Sequence, residues 1–468
     1  MSLEPVQPRR ALLWPPLVEE LAGAAPDAAA LYMVGGMVRD ALAGRPIHDI
    51  DLATPGDGLR VARALADALG GAYYPVDPER RTGRVILEAD GGTVIDVASF
   101  RGNGLLADLQ GRDFTINAMA VRLDEPQALY DPLDGQADLF DRRVVRQCTP
   151  GSIASDPIRA LRAVRQSIQF GLRIERETLA AARAAAPALR AAEGLAQPER
   201  ARDEFVRMLA GEHPTSALRV LQALGLLAPL SPYPLPDSRR LDKRLSLVQH
   251  LDSLFTIISP RRTDNTASQV RLGVAVMVLD RYRSQLQEHL SREIVAGRPV
   301  SVLGLLAAFS PADAEEPGAA WASQLRLAVA EARAISGVAA AQKIIPRQPP
   351  VEGRAAHRYY REVGEAGVTG VLLMLAHALN EGIRPRRWGD LLDHVASPLL
   401  EAFFRRHQEI VTPPPLLDGR DLMQAFDLQP GPLVGQILVR LLEEQAAGVV
   451  RTRAEALRLA ERLIADAS

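Results

Sequence analysis

The sequence predicts an α/β head followed by an all-helical remainder. Three observations lead to this fold class. Short apolar runs alternate with helical patterns over residues 31–147. A glycine turn and an Asp-x-Asp triplet lie among the first of these elements. After Pro150, Ala, Leu, Arg and Glu dominate, with apolar residues three or four apart, as a helix face requires. The 468 residues exceed one compact core, so we expect two to four units.

The elements follow from local patterns, taken in chain order. Strands are predicted at Leu31–Val34, Ile47–Ala53, Val85–Leu87, Thr93–Val97, Met119–Leu123 and Val144–Val145, with a hairpin turn at Gly91-Gly92. Helices are predicted at Leu17–Ala24, at Met37–Ala43 ending at Gly44, and at Arg453–Ile464. Near the end of the chain, a turn at Gly431–Gly435 is predicted to lead into a helix at Val439–Leu442.

Composition restricts the class of protein. The net charge is −2, so the chain has no global field that attracts RNA, and RNA contacts must come from local arginine clusters. The single cysteine, Cys148, rules out an intramolecular disulfide and a zinc site built from cysteines. No apolar run is long enough to span a membrane and no signal-peptide core is visible, so we expect a cytoplasmic enzyme without a membrane partner.

The segment from Val34 to Asp51 carries the strongest chemical signal. A Gly-Gly turn that opens a helix exposes backbone N–H groups to a phosphate. Asp49 and Asp51 on a strand point to the same side, because side chains alternate with period two. Either feature alone is more often a plain turn or a solvated pair. In the order strand, turn, helix and strand they predict a nucleotidyltransferase palm that binds Mg²⁺ and a nucleoside triphosphate.

Four blocks over residues 30–210 resemble the class II tRNA nucleotidyltransferase and bacterial poly(A) polymerase family. The blocks are the Val34–Asp51 segment, Gly111–Ala118 (similar to RRDFTINA), Ser155–Arg165 (similar to the templating motif E-D-x-x-R) and Glu199–Leu209. The resemblance implies a polymerase-beta-like palm in the head, followed by a helical neck, body and tail. It also implies tRNA, CTP and ATP as substrates and Mg²⁺ as cofactor.

The first block supplies the metal and triphosphate candidates. Asp49 and Asp51 are the predicted metal ligands, and Gly35, Gly36 and Arg39 are predicted to hold the triphosphate. The alternative for Arg39 is a surface pair with Asp40.

Asp96, on the strand Thr93–Val97, matches a third acid that the family places beside the metals. The alternative for Asp96 is a surface charge on an edge strand.

The second and third blocks supply the nucleotide-selecting candidates. By resemblance, Arg112, Asp113 and Asn117 hold the ribose. Asp156 and Arg159 lie three residues apart at a helix start, with Asp156 as N-cap and Pro157 at N1, and by resemblance they template the incoming base.

Arg162 and Arg165 follow Arg159 at the same three-residue spacing along the helix, and they are predicted to contact triphosphate or tRNA. The alternative is that Asp156 only caps a helix whose arginines are solvated. The chain departs from the family pattern at two positions, Gly111 in place of an arginine and Ser155 in place of a glutamate.

The segment between Arg101 and Arg112 is only ten residues long. Family members that add the complete CCA end usually have a longer mobile loop here, and those that lack it tend to add only CC and to leave the adenosine to a separate A-adding enzyme. The short segment therefore favours CC addition, with compensation elsewhere in the chain as the alternative.

The C-terminal half matches the family more weakly. Arg244–Leu254 and Leu272–Asp280 resemble an HD phosphohydrolase domain, but Lys243 stands where the first histidine is expected and His250 lacks ligand partners. We expect a degenerate domain without phosphohydrolase activity. The candidate basic residues for tRNA are Arg384, Arg386, Arg387, Arg405 and Arg406, and a helix start at Gly435 is a candidate phosphate contact.

The predicted divisions are a leader at 1–30, a catalytic head at 31–147, a neck at 148–230, a body at 231–345 and a tail at 346–468. The predicted function is template-independent addition of CMP, as CC or as full CCA, to the tRNA 3′ end. Three alternatives remain: a poly(A) polymerase, an enzyme that adds only adenosine, and a non-catalytic RNA-binding protein on the same scaffold.

Overall fold

The computed structural model describes residues 3–88, 92–191, 194–260, 262, 270–346 and 349–466. The chain forms two compact units, Met1–Gln197 with Val220–Pro229 and Pro198–Arg219 with Leu230–Ser468. Part of the predicted hairpin turn at Gly91-Gly92, and residues 347–348 near the predicted start of the tail, lie outside the described residues. The predicted five-part division of the chain stays a prediction.

A seven-stranded sheet forms the first unit, in the order β3-β4-β5-β2-β1-β6-β7. Its strands are β1 Tyr32–Val34, β2 Asp49–Thr54, β3 Ala72–Asp77, β4 Thr82–Leu87, β5 Thr93–Ser99, β6 Ala120–Arg122 and β7 Leu129–Tyr130. Only β2 and β5 pair in parallel, and every other neighbouring pair is antiparallel. Strand β3 therefore forms one edge of the sheet, and β5 lies inside it.

Helices of the first unit cover both faces of this sheet. They are α1 Leu17–Ala24, α2 Gly36–Ala43, α3 Gly58–Leu69, α4 Leu105–Gln110, α5 Gly135–Ala137, α6 Ser152–Ser155, α7 Ile158–Phe170 and α8 Arg176–Ala184. One face carries the main core, in which Ile50, Leu52 and Ile95 pack against α2 and α3. Since side chains alternate along a strand, Asp49, Asp51 and Ala53 lie on the other face.

The described residues of the second unit are mostly helical. Its helices, with the two that connect the units, are α9 Pro198–Leu209, α10 Pro214–Ala223, α11 Leu227–Leu230, α12 Ser238–Ile258, α13 Val270–Leu279, α14 Arg283–Ser291, α15 Val300–Phe309, α16 Pro317–Leu325, α17 Val329–Ile344, α18 Gly353–Val363, α19 Ala366–Asn380, α20 Pro385–Leu391, α21 Ser397–Phe404, α22 Gly419–Phe426, α23 Pro432–Ala446 and α24 Arg453–Ala465. Short strands β8 Val144–Val145 with β9 Arg173–Ile174, and β10 Glu293–Val295 with β11 Arg298–Pro299, form two further small sheets.

Most predicted elements appear within two residues of their predicted bounds. The predicted strand Val144–Val145 is present, and it pairs with β9 apart from the main sheet. Two predictions need correction. The turn at Gly431–Gly435 is wrong, because α23 begins at Pro432, where proline at the first helical position loses no hydrogen bond. Gly435 therefore lies within a helix and does not start one. Helix α7 begins at Ile158, so Pro157 takes the N-cap place predicted for Asp156.

Candidate active site

The glycine turn after β1 is shaped by the side chains that crowd it. Gly35 has φ +79°, a conformation that side chains rarely adopt. A β-carbon at Gly35 would lie 3.1 Å from Nη1 of Arg112 and 3.3 Å from Oδ2 of Asp51. The turn therefore brings its backbone close to an arginine and a carboxylate at once. Its role as a phosphate-binding loop stays a prediction.

Three carboxylates lie together on one face of the sheet. Asp51 in β2 is directly opposite Asp96 in β5, and Asp49 is one pleat away on β2. Burial raises the pKa of Asp51; Arg112 opposes this, while the negative charges of Asp96 and Asp49 raise it further. The sheet thus concentrates negative charge where a cation would relieve it.

The donor set suits a hard divalent cation. All three carboxylates offer oxygen ligands, which Mg²⁺ and similar ions prefer, and Mg²⁺ is usually held by one or two carboxylates together with substrate phosphates. Among the described residues, no group of three or more His, Cys, Asp and Glu side chains could hold a metal ion. Asp49 and Asp51 therefore fit a cation that arrives with a triphosphate.

Asp96 is not the edge-strand charge offered as its alternative, because β5 lies between β2 and β4. The carboxylate of Asp96 accepts two hydrogen bonds from Arg84 in β4, from Nε at 2.8 Å and from Nη2 at 2.9 Å. Sequence analysis missed Arg84. Only the antiparallel register, which places Arg84 opposite Asp96, brings the two together.

Arg39 is buried, and its guanidinium makes contacts in three directions. Its Nε and Nη2 donate to both carboxylate oxygens of Asp40, at 3.0 and 2.8 Å. Its Nη1 donates to Oδ1 of Asn117, and its guanidinium carbon lies 4.2 Å from the ring centre of Phe170. The predicted alternative, a surface pair with Asp40, is half right: the pair exists but is not at the surface.

Asp113 and Asn117 continue this chain of hydrogen bonds. The amide of Asn117 donates to Oδ1 of Asp113 at 2.9 Å and to Gln166 on α7 at 3.0 Å. The other oxygen of Asp113 lies 2.9 Å from Nη2 of Arg162. Burial raises the pKa of Asp113, but Arg162, the Asn117 amide and the N–H of Phe114 together lower it below its ordinary value. Asp113 therefore stays charged inside the fold.

Asp156 and Arg159 are close together, as predicted, but both side chains also make hydrogen bonds with backbone groups. Oδ2 of Asp156 is 3.9 Å from Nε of Arg159. Nη2 of Arg159 donates to the carbonyl of Gly111 at 2.9 Å, and Nη1 donates to Oγ of Ser152 at 2.6 Å. Oδ1 of Asp156 accepts from the N–H of Ile158. The serine that replaces the family glutamate, Ser155, instead bonds to the carbonyl of Ser152.

The short segment between Arg101 and Arg112 folds into the helix α4. Its buried residue Asp108 accepts hydrogen bonds from Nε and Nη2 of Arg112, at 3.1 and 2.8 Å, and from the N–H of Arg101. Sequence analysis missed Asp108. The spacing of four residues between Asp108 in α4 and Arg112, which lies two residues beyond the end of the helix, is the signal that could have predicted their pairing.

Gly111, the family arginine position, leaves room for a neighbour. Nη1 of Arg101 donates to the carbonyl of Gly111, and a β-carbon on Gly111 would lie 3.3 Å from the Cδ of Arg101. A second arginine therefore lies beside the position where the family places one.

In the second unit, the residues that resemble an HD domain have other partners. His250 makes a hydrogen bond of 2.7 Å with the carbonyl of Ser246 in its own helix, and Asp280 pairs with Arg262 at 2.6 Å. Arg405 and Arg406 form ion pairs with Glu401 and Glu409 on their own segments. All five arginines of the basic set are exposed, and Arg384, Arg386 and Arg387 lie at the start of α20. In the described part of the chain, no single helix is long and apolar enough to cross a membrane.

A β-sheet with three carboxylates beside a glycine turn defines the class of protein, a nucleotidyltransferase. The sequence matches the family profiles of the Poly A polymerase head domain over residues 31–146 and of the probable RNA and SrmB-binding site of polymerase A over residues 171–235.

Two relatives align over most of their length. The CC-adding tRNA nucleotidyltransferase of Geobacter sulfurreducens is 32% identical over 91% of this chain and 90% of its own. The A-adding tRNA nucleotidyltransferase of Deinococcus radiodurans is 33% identical over 93% of this chain and 96% of its own.

Solved structures share the fold. The CCA-adding enzyme of Bacillus stearothermophilus in complex with CTP is 21% identical with a TM-score of 0.62, and the alignment covers 97% of this chain and 99% of that one. The CCA-adding enzyme of Thermotoga maritima complexed with tRNA_CCA is 21% identical with a TM-score of 0.59, over 96% and 98% of the two chains.

This chain belongs to the tRNA nucleotidyltransferase and poly(A) polymerase family. The assignment confirms the predicted family, the predicted fold class of an α/β head followed by helices, and the predicted enzyme class, a tRNA nucleotidyltransferase. Membership also implies a divalent metal ion, and the carboxylate oxygens of Asp49 and Asp51 are ligands of the kind that such an ion prefers.

Proposed function

We propose that this protein adds cytidine residues to the 3′ end of tRNA from CTP, in the cytoplasm and with Mg²⁺ as its metal. The observation that carries the proposal is the continuous set of contacts in the first unit. It runs from the carboxylates of Asp51 and Asp96, past the Gly35 turn and Arg112, to Arg159 at the start of α7. Metal ligands, triphosphate loop and base-selecting arginine are thus parts of one structure.

The reaction joins the tRNA 3′-oxygen to the α-phosphorus of the nucleotide and breaks the bond to the β-phosphate bridging oxygen, releasing pyrophosphate. Asp49 and Asp51 would hold the metal, which would supply stabilisation of charge on the phosphates and would ease loss of the 3′-hydroxyl proton. Gly35 and Gly36 present backbone N–H groups at the start of α2 to the triphosphate. Arg112, held by Asp108, lies against Gly35 and adds positive charge there.

Arg39 acts from within the fold in this proposal. Its guanidinium is occupied by Asp40 and Asn117, so it positions Asn117 and the start of α2. Asn117 in turn fixes Asp113 next to Arg162. A rigid series of hydrogen bonds of this kind suits ribose recognition. A buried polar group that loses its 2′-hydroxyl partner strongly disfavours binding of a deoxyribose.

Base selection is assigned to Asp156 and Arg159. An acceptor and a donor fork 3.9 Å apart offer the two kinds of group that the edge of a cytosine or adenine requires. The carbonyls of Gly111 and Arg112 and the hydroxyl of Ser152 anchor the Arg159 guanidinium at Nη1 and Nη2. We assign Arg162 and Arg165, further along α7, to triphosphate or tRNA.

Specificity for CC rather than CCA follows from the segment 102–111. Helix α4 within it is fixed by the buried residues Asp108 and Leu109, whereas resetting the template from CTP to ATP requires a segment that moves. Similarity to relatives does not decide this question, since CC-adding and A-adding relatives are 32% and 33% identical to the chain. A separate A-adding enzyme would then complete the tRNA end.

The test is to incubate the protein with Mg²⁺ and tRNA that ends at the discriminator base, with CTP, with ATP and with both. Products are resolved at single-nucleotide length. We expect two additions with CTP and no third when ATP is present. A third addition would contradict CC specificity, long tails from ATP alone would identify a poly(A) polymerase, and no addition at all would favour a non-catalytic RNA-binding protein.

A further inference from the structure

A row of four side chains crosses the sheet from the carboxylates to its free edge. Asp51 in β2 is opposite Asp96 in β5, Asp96 is opposite Arg84 in β4, and Arg84 is opposite Tyr74 in β3. Directly opposite residues point to the same face, so all four side chains lie on the carboxylate face of the sheet. Three strand spacings separate Asp51 from Tyr74, which is about 14 Å.

Tyr74 ends this row at the surface. Its exposed fraction is 52%, and it is the one aromatic residue among the exposed large apolar side chains of the described chain. The neighbouring Tyr73 points to the opposite face, where the guanidinium of Arg63 lies 4.2 Å from its ring centre. An aromatic ring left open beside a catalytic face is available for stacking.

Arg84 stands between this ring and the carboxylates with part of its guanidinium unused. Its Nε and Nη2 bond to Asp96, while Nη1 makes no hydrogen bond to any residue that the structure describes. The side chain is 40% exposed. The ion pair with Asp96 fixes the direction of the guanidinium, so Nη1 presents a positioned donor of the kind that binds a phosphate oxygen.

A second protein strand is a poor partner for this edge. Pro75, in the middle of β3, has no N–H to donate to an added strand, and proline on an edge strand typically prevents pairing. A single exposed ring next to a free arginine donor instead matches the way proteins bind single-stranded RNA, by base stacking together with a backbone phosphate contact.

We propose that Tyr74 and Arg84 form a binding subsite for the 3′-terminal nucleotides of the tRNA that receives the new residue. Tyr74 stacks on a base of the acceptor end, and Nη1 of Arg84 contacts the adjoining phosphate. Together they direct the 3′-hydroxyl toward Asp49 and Asp51. This inference rests on the proposed function and deepens it, because it assigns the substrate end that the nucleotide-binding residues leave unassigned.

The experiment uses the full chain and tRNA that carries 2-aminopurine at its 3′-terminal position, without any nucleoside triphosphate. Stacking on an aromatic ring changes the fluorescence of this base when tRNA binds. We expect Tyr74→Ala to abolish the change and to weaken tRNA binding about 5- to 100-fold, as loss of base stacking does elsewhere. Tyr74→Phe keeps the ring and should behave like the unmodified protein.

The matched control is Val76→Ala. Val76 is two residues further along β3 and is 50% exposed. Loss of an exposed apolar side chain without a ring should leave the fluorescence change intact. Circular dichroism melting curves for all variants establish that they fold.

Arg84 is tested by salt dependence. For Arg84→Met, the slope of the logarithm of the tRNA dissociation constant against the logarithm of the salt concentration should fall by about 0.7, the value of one phosphate contact on a single strand. An unchanged slope would refute the phosphate contact.

Each further outcome decides the proposal. Fluorescence and binding of Tyr74→Ala that match Val76→Ala would overturn it. A protein that sediments as a dimer, and becomes monomeric with Tyr74→Ala at unchanged tRNA binding, would make the edge a contact between copies and would also overturn it. Because binding is measured without catalysis, the subsite is tested even if the assay of nucleotide addition fails.

Discussion

Two acids, one in each unit of the molecule, have pKa values that are shifted in opposite directions. In the first unit, Asp51 lies beside two other carboxylates, and its pKa is raised by burial and by their charges. In the second unit, Glu443 is bonded to Arg358, and this contact with those of Arg440 and Arg361 lowers its pKa to about 2.

This difference in pKa distinguishes an acid suited to binding a ligand from an acid that stabilises the fold. Charges that hold a fold together are neutralised by partners inside the protein, whereas charges kept close and uncompensated are stabilised only when a ligand arrives. A cluster of like charges that costs stability is therefore the better indicator of a site than a well-paired network.

The largest expected effect comes from Asp51→Asn, which removes a metal ligand. We expect addition of CMP to fall about 10³-fold or more, because metal stabilisation of the phosphates is lost. The free energy of unfolding should stay the same or rise. A carboxylate whose pKa is raised by folding destabilises the fold at neutral pH, and the amide relieves this. Primer extension and urea unfolding measure the two quantities. A variant that unfolds more easily would place Asp51 with the structural acids.

The next effect is on base choice. Arg159→Lys keeps the charge but loses the planar fork, so we expect the ratio of kcat/KM for CTP over ATP to fall about 10- to 100-fold. Arg173→Lys, on the exposed strand β9, is the matched control and should leave the ratio unchanged. If the overall rate falls while the ratio is preserved, Arg159 supports the fold without selecting the base.

A smaller effect is expected from Asp108→Asn. Arg112 loses its carboxylate partner and its fixed position beside Gly35, so kcat/KM for CTP should fall about tenfold. Asp67→Asn, at an exposed position on α3, is the control. Steady-state kinetics at saturating tRNA measure the change. Equal activity of both variants would show that α4 does not position Arg112.

The smallest effect on activity, and a clear one on stability, is expected from Glu443→Gln. Loss of the charge leaves the arginines around it without their common partner, and the free energy of unfolding should fall by about 1–3 kcal/mol at pH 7. Nucleotide addition per folded molecule should not change. Glu461→Gln, exposed on α24, is the control.

The pH dependence of stability gives a second check on Glu443. A pKa lowered from 4.5 to about 2 means that the carboxylate stabilises the fold fully above about pH 4.5 and loses this contribution as the pH falls toward 2. Urea unfolding from pH 6 to pH 3 should show this loss in the unmodified protein and a shallower loss in Glu443→Gln. Parallel curves would contradict the assigned pKa.

The sequence predicted the head well because its signals are local. Turn glycines, an Asp-x-Asp triplet and a proline after an aspartate act within a few residues, so the turn at Gly35 and the strand that carries Asp49 and Asp51 were predicted from the chain itself. The helix start near Gly435 was misplaced because Pro432 is compatible with either a turn or a first helical residue, and local pattern does not separate the two.

The partners of the site residues were beyond sequence reasoning. Arg84 reaches Asp96 only through strand register, and Arg159 reaches the carbonyl of Gly111 across 48 positions of the chain. Arg39 was predicted as a triphosphate ligand, but its burial and its contact with Asn117 depend on how α2 packs. Periodic patterns in the sequence do not predict such contacts, because the contacts join residues far apart in the chain.

The sequence by itself determined the family, the α/β head, the carboxylate pair and the short segment after Arg101. Each of these features depends on residues that are close together in the sequence. Only the tertiary structure decided which charges are neutralised. It paired Asp96 with Arg84 and Glu443 with its arginines, and it left Asp51 beside the carboxylates of Asp49 and Asp96. Electrostatic energy depends on distance and burial in space, and only the folded chain sets both.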